Sequence, residues 1–294
     1  MSLPFARPDI GDDEVEAVVE CMKSGWLTSG SKVQEFEAKF AAFTGAKHAI
    51  AVSSATVGAL LILDALGIGL GDEVIVPAMT FSGPAMMAHR LGANVVLADC
   101  LPGSHQLDPA DVARKITPRT KVVMPTHFAG EACDLEALQS LCATHGVLLI
   151  DDAAHALPTV DKSGDRVGSG ASSLATFFSF YATKTLTTGD GGMITTNEDW
   201  LAERIRPLRS HGMSRPVFDR YSRLGASWQY DIELHDAEAA RRSHALWRSA
   251  LGQPAPVRTR LPQGRGVQHG VLRQRRHPAG SDHAARRHAA GADP

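Results

Sequence analysis

The chain has 294 residues, 44% of them hydrophobic, so it exceeds one modest domain and can bury a large core. Thirty Lys and Arg against 32 Asp and Glu leave a net charge of −2, which excludes the strongly basic balance of a nucleic-acid or membrane-surface protein. No apolar run reaches transmembrane length, and the opening MSLPFARPDIGDDEVE lacks a signal-peptide hydrophobic region, so no membrane partner and a cytoplasmic location are expected.

The first predicted element is an amphipathic helix over 12–23, with Val15, Val18, Val19 and Met22 on one stripe and Gly25 as its stop. After the loop GWLTSGS, a second helix turns Val33, Phe36, Phe40 and Phe43 towards the core and ends at Gly45. Strand and helix patterns then alternate: strand 48–52, helix 56–66, strand 73–76, helix 82–91, strand 94–98, helix 109–115. Strand 121–124, helix 134–145 and strand 147–151 continue the series. An aromatic and β-branched run at Thr176–Phe180 and another strand at Met193–Thr196 close it. The fold class is therefore α/β, layered on a mainly parallel sheet. Four cysteines, Cys21, Cys100, Cys133 and Cys142, have neither CxxC nor metal-ligand spacing and read as free thiols, with no metal site expected.

Ligands in such sheets sit beyond the carboxyl ends of the strands, so the residues there carry the candidate chemistry. Ser53–Gly58 leaves a strand and opens a helix, and its small residues suit either an anion cradle or an ordinary N-cap by Ser54 or Thr56. Phe81, in PAMTF, is either a ring at the same edge or a core phenylalanine. Asp151 and Asp152 follow an apolar strand, where a carboxylate needs a cation or hydrogen-bond donors. A protonated pyridine nitrogen is one such partner; a helix cap, a solvated loop or a metal are the others. His155, three residues on, can share a ligand with Asp152, and His127 either touches the site or is structural. Lys184 stands between SFYAT and a turn with Gly189, Gly191 and Gly192. A surface lysine is the ordinary reading, and a desolvated Schiff-base lysine is the functional one. Together, an anion cradle, a ring, a buried aspartate and a lysine are the parts that hold pyridoxal 5'-phosphate.

Five stretches, SSATVGALLILDAL, VIVPAMTFSGPAMMAHRLGANVVLAD, MPTHFAGEACDLEAL, LIDDAAHAL and FFSFYATKTLTTGDGGMITT, resemble in order the DegT/DnrJ/StrS sugar aminotransferases, which are fold-type I pyridoxal-phosphate enzymes. The resemblance spans roughly residues 5–240 and implies a three-layer α/β/α sandwich with a seven-stranded sheet. It implies that Lys184 binds the cofactor covalently and then moves a proton, and that Asp152 pairs with the pyridine nitrogen. His155 is placed at the cofactor's phenolic oxygen and Phe81 over its ring. Ser179, the Ala55–Thr56 backbone and the Thr56 hydroxyl are placed at its phosphate. A dehydratase branch of the family has histidine for the lysine, so Lys184 favours transamination. The implied reaction passes an amino group, usually from glutamate, to a nucleotide-linked keto-deoxysugar for glycan or natural-product biosynthesis, and the family implies a homodimer.

Two departures set further expectations. Leu234 runs directly into His235-Asp236-Ala237-Glu238, where the family has an intervening segment that reaches the neighbouring subunit's site, which counts against phosphate binding and dimer assembly here. Residues 241–294 hold eleven Arg, no Lys, five His and two acidic residues, with too little apolar surface to offset chain entropy. Translation in a shifted frame explains that composition better than a basic nucleic-acid tail. The expected division is a cofactor-binding large domain over 1–240 and a basic tail over 241–294, the family's small C-terminal domain being missing or scrambled. Beside the enzyme stand two rivals, a non-catalytic remnant that at most binds cofactor and a sensing domain.

Overall fold

A computed structural model describes residues 6–213; the junction at Leu234, the 240/241 boundary and the Arg-rich stretch lie outside the described residues. Helices α1 (Asp12–Lys23) and α2 (Ser31–Thr44) lead into β1 (His48–Val52), α3 (Ala55–Ala65), β2 (Glu73–Pro77) and α4 (Ser82–Arg90). Then come β3 (Asn94–Ala98), α5 (Pro109–Lys115), β4 (Thr120–Val123), α6 (Leu135–His145), β5 (Leu148–Asp152), β6 (Ala175–Ser179), β7 (Gly192–Thr196) and α7 (Asp199–Arg209). Local chemistry sets these bounds. Ser54, Asp108 and Asp134 cap α3, α5 and α6 by accepting the amides of Val57, Ala110 and Ala137. Gly45 and Gly146 end α2 and α6 in the left-handed region, at φ 85° and 63°.

The strands form one sheet in the order β1-β7-β6-β5-β4-β2-β3. Only β7 runs antiparallel to its neighbours, so the other six strands share a direction and end at one edge. Strands β2 and β5 are buried at every position, as strands covered on both faces should be, their carboxylates Glu73, Asp151 and Asp152 included. On one face Ile50, Val74, Leu148, Ile150 and Phe177 pack with Ile62 of α3, Ala88 of α4 and Ile205 of α7. On the other, Ile75, Val123 and Leu149 meet Val112 of α5 and Leu138 of α6, while Phe178 and Met193 meet Phe40 of α2. This is the expected α/β/α sandwich with a seven-stranded, mostly parallel sheet. No helix among the described residues is long and apolar enough to cross a membrane.

Phe43 departs from its expected core position: it is 43% exposed, and its ring carries the Arg166 guanidinium 4.3 Å from the centroid. The inward stripe of α2 runs from Phe40 to Thr44, both buried, and Phe43 falls beside it on the surface. The α1 stripe forms as predicted but stays exposed, Val15, Val18, Val19 and Met22 all being accessible.

Candidate active site

The site is assembled at the edge where the parallel strands end. Alternation along β5 separates its two carboxylates. Asp152 shares the face of Leu148 and Ile150, beneath α3 and α4. Asp151 shares the face of Leu149 and turns away, accepting the Ser173 hydroxyl at 2.8 Å. His127 goes with Asp151: it is fully buried, its Nδ1 accepts the Cys133 amide at 3.0 Å, and its Nε2 lies 3.7 Å from Asp151 Oδ2. Its own amide donates to the Asp152 carbonyl, so His127 braces the site strand from behind and is structural.

Asp152 is 3% exposed, and its Oδ1 accepts the Ala154 amide at 2.9 Å. Burial pushes its carboxyl up from the ordinary 3.8 to about 6, against the pull of that amide and then of the His127 and Lys184 charges. A carboxyl with a higher pKa folded than unfolded holds its proton more tightly in the fold. Its contribution therefore declines as pH rises from about 4 to about 6 and stays unfavourable at neutral pH. Asp152→Asn is accordingly expected to raise the melting temperature of cofactor-free protein at pH 8, with the advantage shrinking as the buffer is taken to pH 4. A melting series across that range checks the sign.

Lys184 lies in the loop after β6. The loop is closed at its base, where Phe180 accepts the Thr188 amide and the Thr187 hydroxyl, both at 3.0 Å, and donates to the Gly191 carbonyl. The Lys184 amide donates to Tyr181 at 2.9 Å, fixing the turn that carries the side chain. That side chain is half-buried; desolvation lowers its pKa and the Asp152 carboxylate opposes the shift. His155 is also lowered, first by burial and then by the Lys184 charge. His155, Ser179 and Lys184 line one cavity of about 220 Å³, with Ala129 and Leu186 on its wall. Asp152 does not line it and acts from beneath.

The turn expected to cradle an anion lies beside Ser179, which lines this cavity. Ser179 pairs across the ladder with Gly192, and Gly192 also pairs with Val52, the residue before the loop into α3. A Cβ on Gly192 would stand 2.6 Å from the Ser54 carbonyl carbon and 2.7 Å from the Ala55 amide nitrogen. The missing side chain thus draws the opening turn of α3 against the end of β6. Ser54 is the N-cap, the ordinary alternative: it engages the Val57 and Gly58 amides, and Ala55 and Thr56 carry amides the helix itself cannot satisfy. Gly192→Ala is expected to cost about 3 kcal/mol through overpacking against immovable backbone. It should also weaken binding of a phosphate-bearing cofactor at least tenfold, read by thermal melting and cofactor titration.

Phe81 stands 72% exposed at the start of α4. A Cβ on Gly83 would lie 2.8 Å from the Thr56 hydroxyl and 3.0 Å from the Phe81 ring, so these two expected site residues meet over that glycine. One polar contact escaped the sequence reading: the Thr80 and Thr126 hydroxyls are 2.7 Å apart, and Thr126 bridges in the ladder to Asp152. Thr80 and Thr126 are 46 residues apart, and no local pattern announces such a pair.

The profile of the DegT/DnrJ/EryC1/StrS aminotransferase family matches residues 8–249. The chain belongs to that family. It is 46% identical over 253 residues to the spore coat polysaccharide biosynthesis protein SpsC of Bacillus subtilis, a match covering 84% of this chain and 64% of SpsC. Among solved structures it is similar to the Streptococcus pneumoniae sugar aminotransferase Spr1654 in its PLP form, at 30% identity and a TM-score of 0.71 over 84% of this chain and 67% of that one. The aminotransferase TlmJ from Streptoalloteichus hindustanus gives 33% identity and a TM-score of 0.72, over 84% and 66% of the two chains. The chain thus spans 64% of the length of SpsC.

Proposed function

We propose that this chain is a pyridoxal 5'-phosphate-dependent transaminase that moves an amino group from glutamate to a nucleotide-linked keto-deoxysugar in polysaccharide or natural-product biosynthesis. The observation that carries the reading is the half-buried Lys184 amine, which shares a cavity with His155 and Ser179 and is electrostatically coupled to Asp152. Support from outside the chain comes from Spr1654, known in PLP and PMP forms, and from SpsC, named for polysaccharide biosynthesis.

The residues present fit that cofactor. The turn into α3 suits a phosphate: the Ala55 amide lies against Gly192, which pairs with Ser179, and the Thr56 hydroxyl lies against Gly83. Asp152, buried and short of a full cationic partner, suits a protonated ring nitrogen. The bound cofactor supplies the electron sink for the carbanion left when the amino-bearing carbon loses its proton. Lys184, its pKa lowered by desolvation, would hold the cofactor covalently and, once the amino donor displaces it from that bond, would be the free amine that carries the proton between carbons. Asp152 would keep a proton on the ring nitrogen. His155 accepts the Ala129 amide at Nδ1, 3.4 Å away, which leaves Nε2 for the phenolic oxygen. Phe81 would be the aromatic cover for the ring. Glutamate as donor and a homodimer belong to the same reading.

The test is an absorption spectrum of the purified protein with added pyridoxal phosphate, before and after excess glutamate. A visible band that bleaches to the pyridoxamine form is expected. A folded protein that develops no band would leave a non-catalytic remnant as the better description.

A further inference from the structure

Two rings that the proposed chemistry does not use, Phe128 and His105, lead away from the Lys184 cavity. His155 lines the cavity, and Phe128 meets it edge-on, with centroids 5.7 Å apart and planes at 73°. His105 then stacks on Phe128, with centroids 4.7 Å apart and planes only 22° from parallel. The line starts at the reacting end and finishes on an exposed imidazole.

His105 is held in place by its neighbours rather than left on a loose loop. Gln106, next in sequence, is 4% exposed; its Nε2 donates to the Glu131 carbonyl at 2.9 Å and its Oε1 accepts the Cys133 thiol at 2.7 Å. Leu107 is buried in the core, Cys100 bridges to it, and Leu101 donates its amide to the Gln106 carbonyl. The Phe128 side is equally constrained: it opens the 3-10 turn Phe128–Gly130, in which Ala129 takes φ 53° and Gly130 φ 86°. A non-glycine residue in the left-handed region is sparsely populated, and here it aims the Ala129 amide at His155. Two exposed or half-exposed rings are thus pre-organised at the edge where ligands of this fold sit. A flat platform fixed before binding spares a ligand the entropy of ordering it.

We infer that the His105–Phe128 stack is the seat of the nucleobase of a nucleoside-diphosphate-linked substrate. A planar, uncharged aromatic base is the ligand a stacked imidazole matches, because every base has a π-face and stacking needs no fixed hydrogen-bond pattern. The two ring steps from His155 to His105 separate the base from the reacting sugar carbon, as the diphosphate bridge of such a substrate does. The inference rests on the nucleotide-linked acceptor proposed above and adds which residues would recognise its base.

The experiment is calorimetric titration of the cofactor-loaded protein with uridine diphosphate and thymidine diphosphate, with inorganic pyrophosphate as the baseless control. The parent, His105→Ala, His105→Phe and Phe128→Leu proteins are compared. His105→Ala should weaken the nucleotides about tenfold, the scale of one lost base stack, and leave pyrophosphate unchanged. His105→Phe, which keeps a ring face, should restore most of the affinity. Melting temperature and cofactor affinity serve as folding controls; His105 is exposed, so its truncation leaves the core intact. Nucleotide affinity equal in parent and His105→Ala overturns the platform while leaving the nucleotide-linked acceptor standing. An equal loss for pyrophosphate also overturns it, placing the effect on the phosphates. A parent that binds neither nucleotide removes the nucleotide-linked acceptor itself, and the platform with it.

Discussion

Replacing Lys184 by alanine is expected to abolish the visible absorbance of the cofactor-loaded protein and to lower turnover by about 10⁴-fold, since nucleophile and proton carrier are lost together. The physical ground is the position of the amine. It is half-buried in the cavity with His155 and Ser179, and desolvation lowers its pKa. Desolvation shifts the amine towards its neutral, nucleophilic form relative to a fully solvated lysine. The fold should survive, because the loop that carries Lys184 is closed by backbone and threonine bonds at Phe180. The measurement is a spectrum after dialysis and borohydride reduction, with mass spectrometry of the labelled peptide. A Lys184→Ala protein that still retains covalent cofactor would place the link on another amine.

Asp152→Asn is the second large effect. Turnover should fall about a thousandfold, the scale of a lost proton-transfer contribution, while Lys184 can still bind the cofactor. An amide keeps the shape and the bond from Ala154 but cannot hold a proton on a ring nitrogen. Single-turnover kinetics with deuterated glutamate separate this from lost binding: the proton-removal step should slow while the spectrum of the loaded protein persists. Rates within tenfold of the parent would show that Asp152 is not the ring nitrogen's partner. The same substitution should stabilise cofactor-free protein above pH 6, so a loss of activity accompanied by a gain in stability would mark a carboxylate kept for chemistry.

The strands were legible because most are five-residue apolar runs bounded by turn and capping residues such as Ser54, Asp72 and Asp108, and the helices because their caps are written locally. The candidate site followed once strand ends were known. Pairings between distant residues were not legible. Gly192 reads as part of a flexible turn, yet its task is to admit the α3 backbone, nearly 140 positions away in sequence but adjacent in the ladder. Asp151 and Asp152 look equivalent as a pair; only the sheet, with helices on both faces, makes one of them a site residue. Phe43 misled because the apolar pattern gave it the inward place that the fold gives to Thr44, one residue on.

The alternation of β5 also constrains how this gene can change length. Removing or adding a single codon within Leu148–Ile150 would exchange the two aspartates, bringing Asp151 beneath α3 and α4 and turning Asp152 towards Ser173. No point substitution in the surroundings repairs such a slip, since every side chain of the strand changes face at once. The surface turn around Asp161–Asp165, held by its own short-range bonds, has no such parity to keep. Insertions and deletions among descendants of this sequence are therefore expected to collect in that turn and to be purged from the strand.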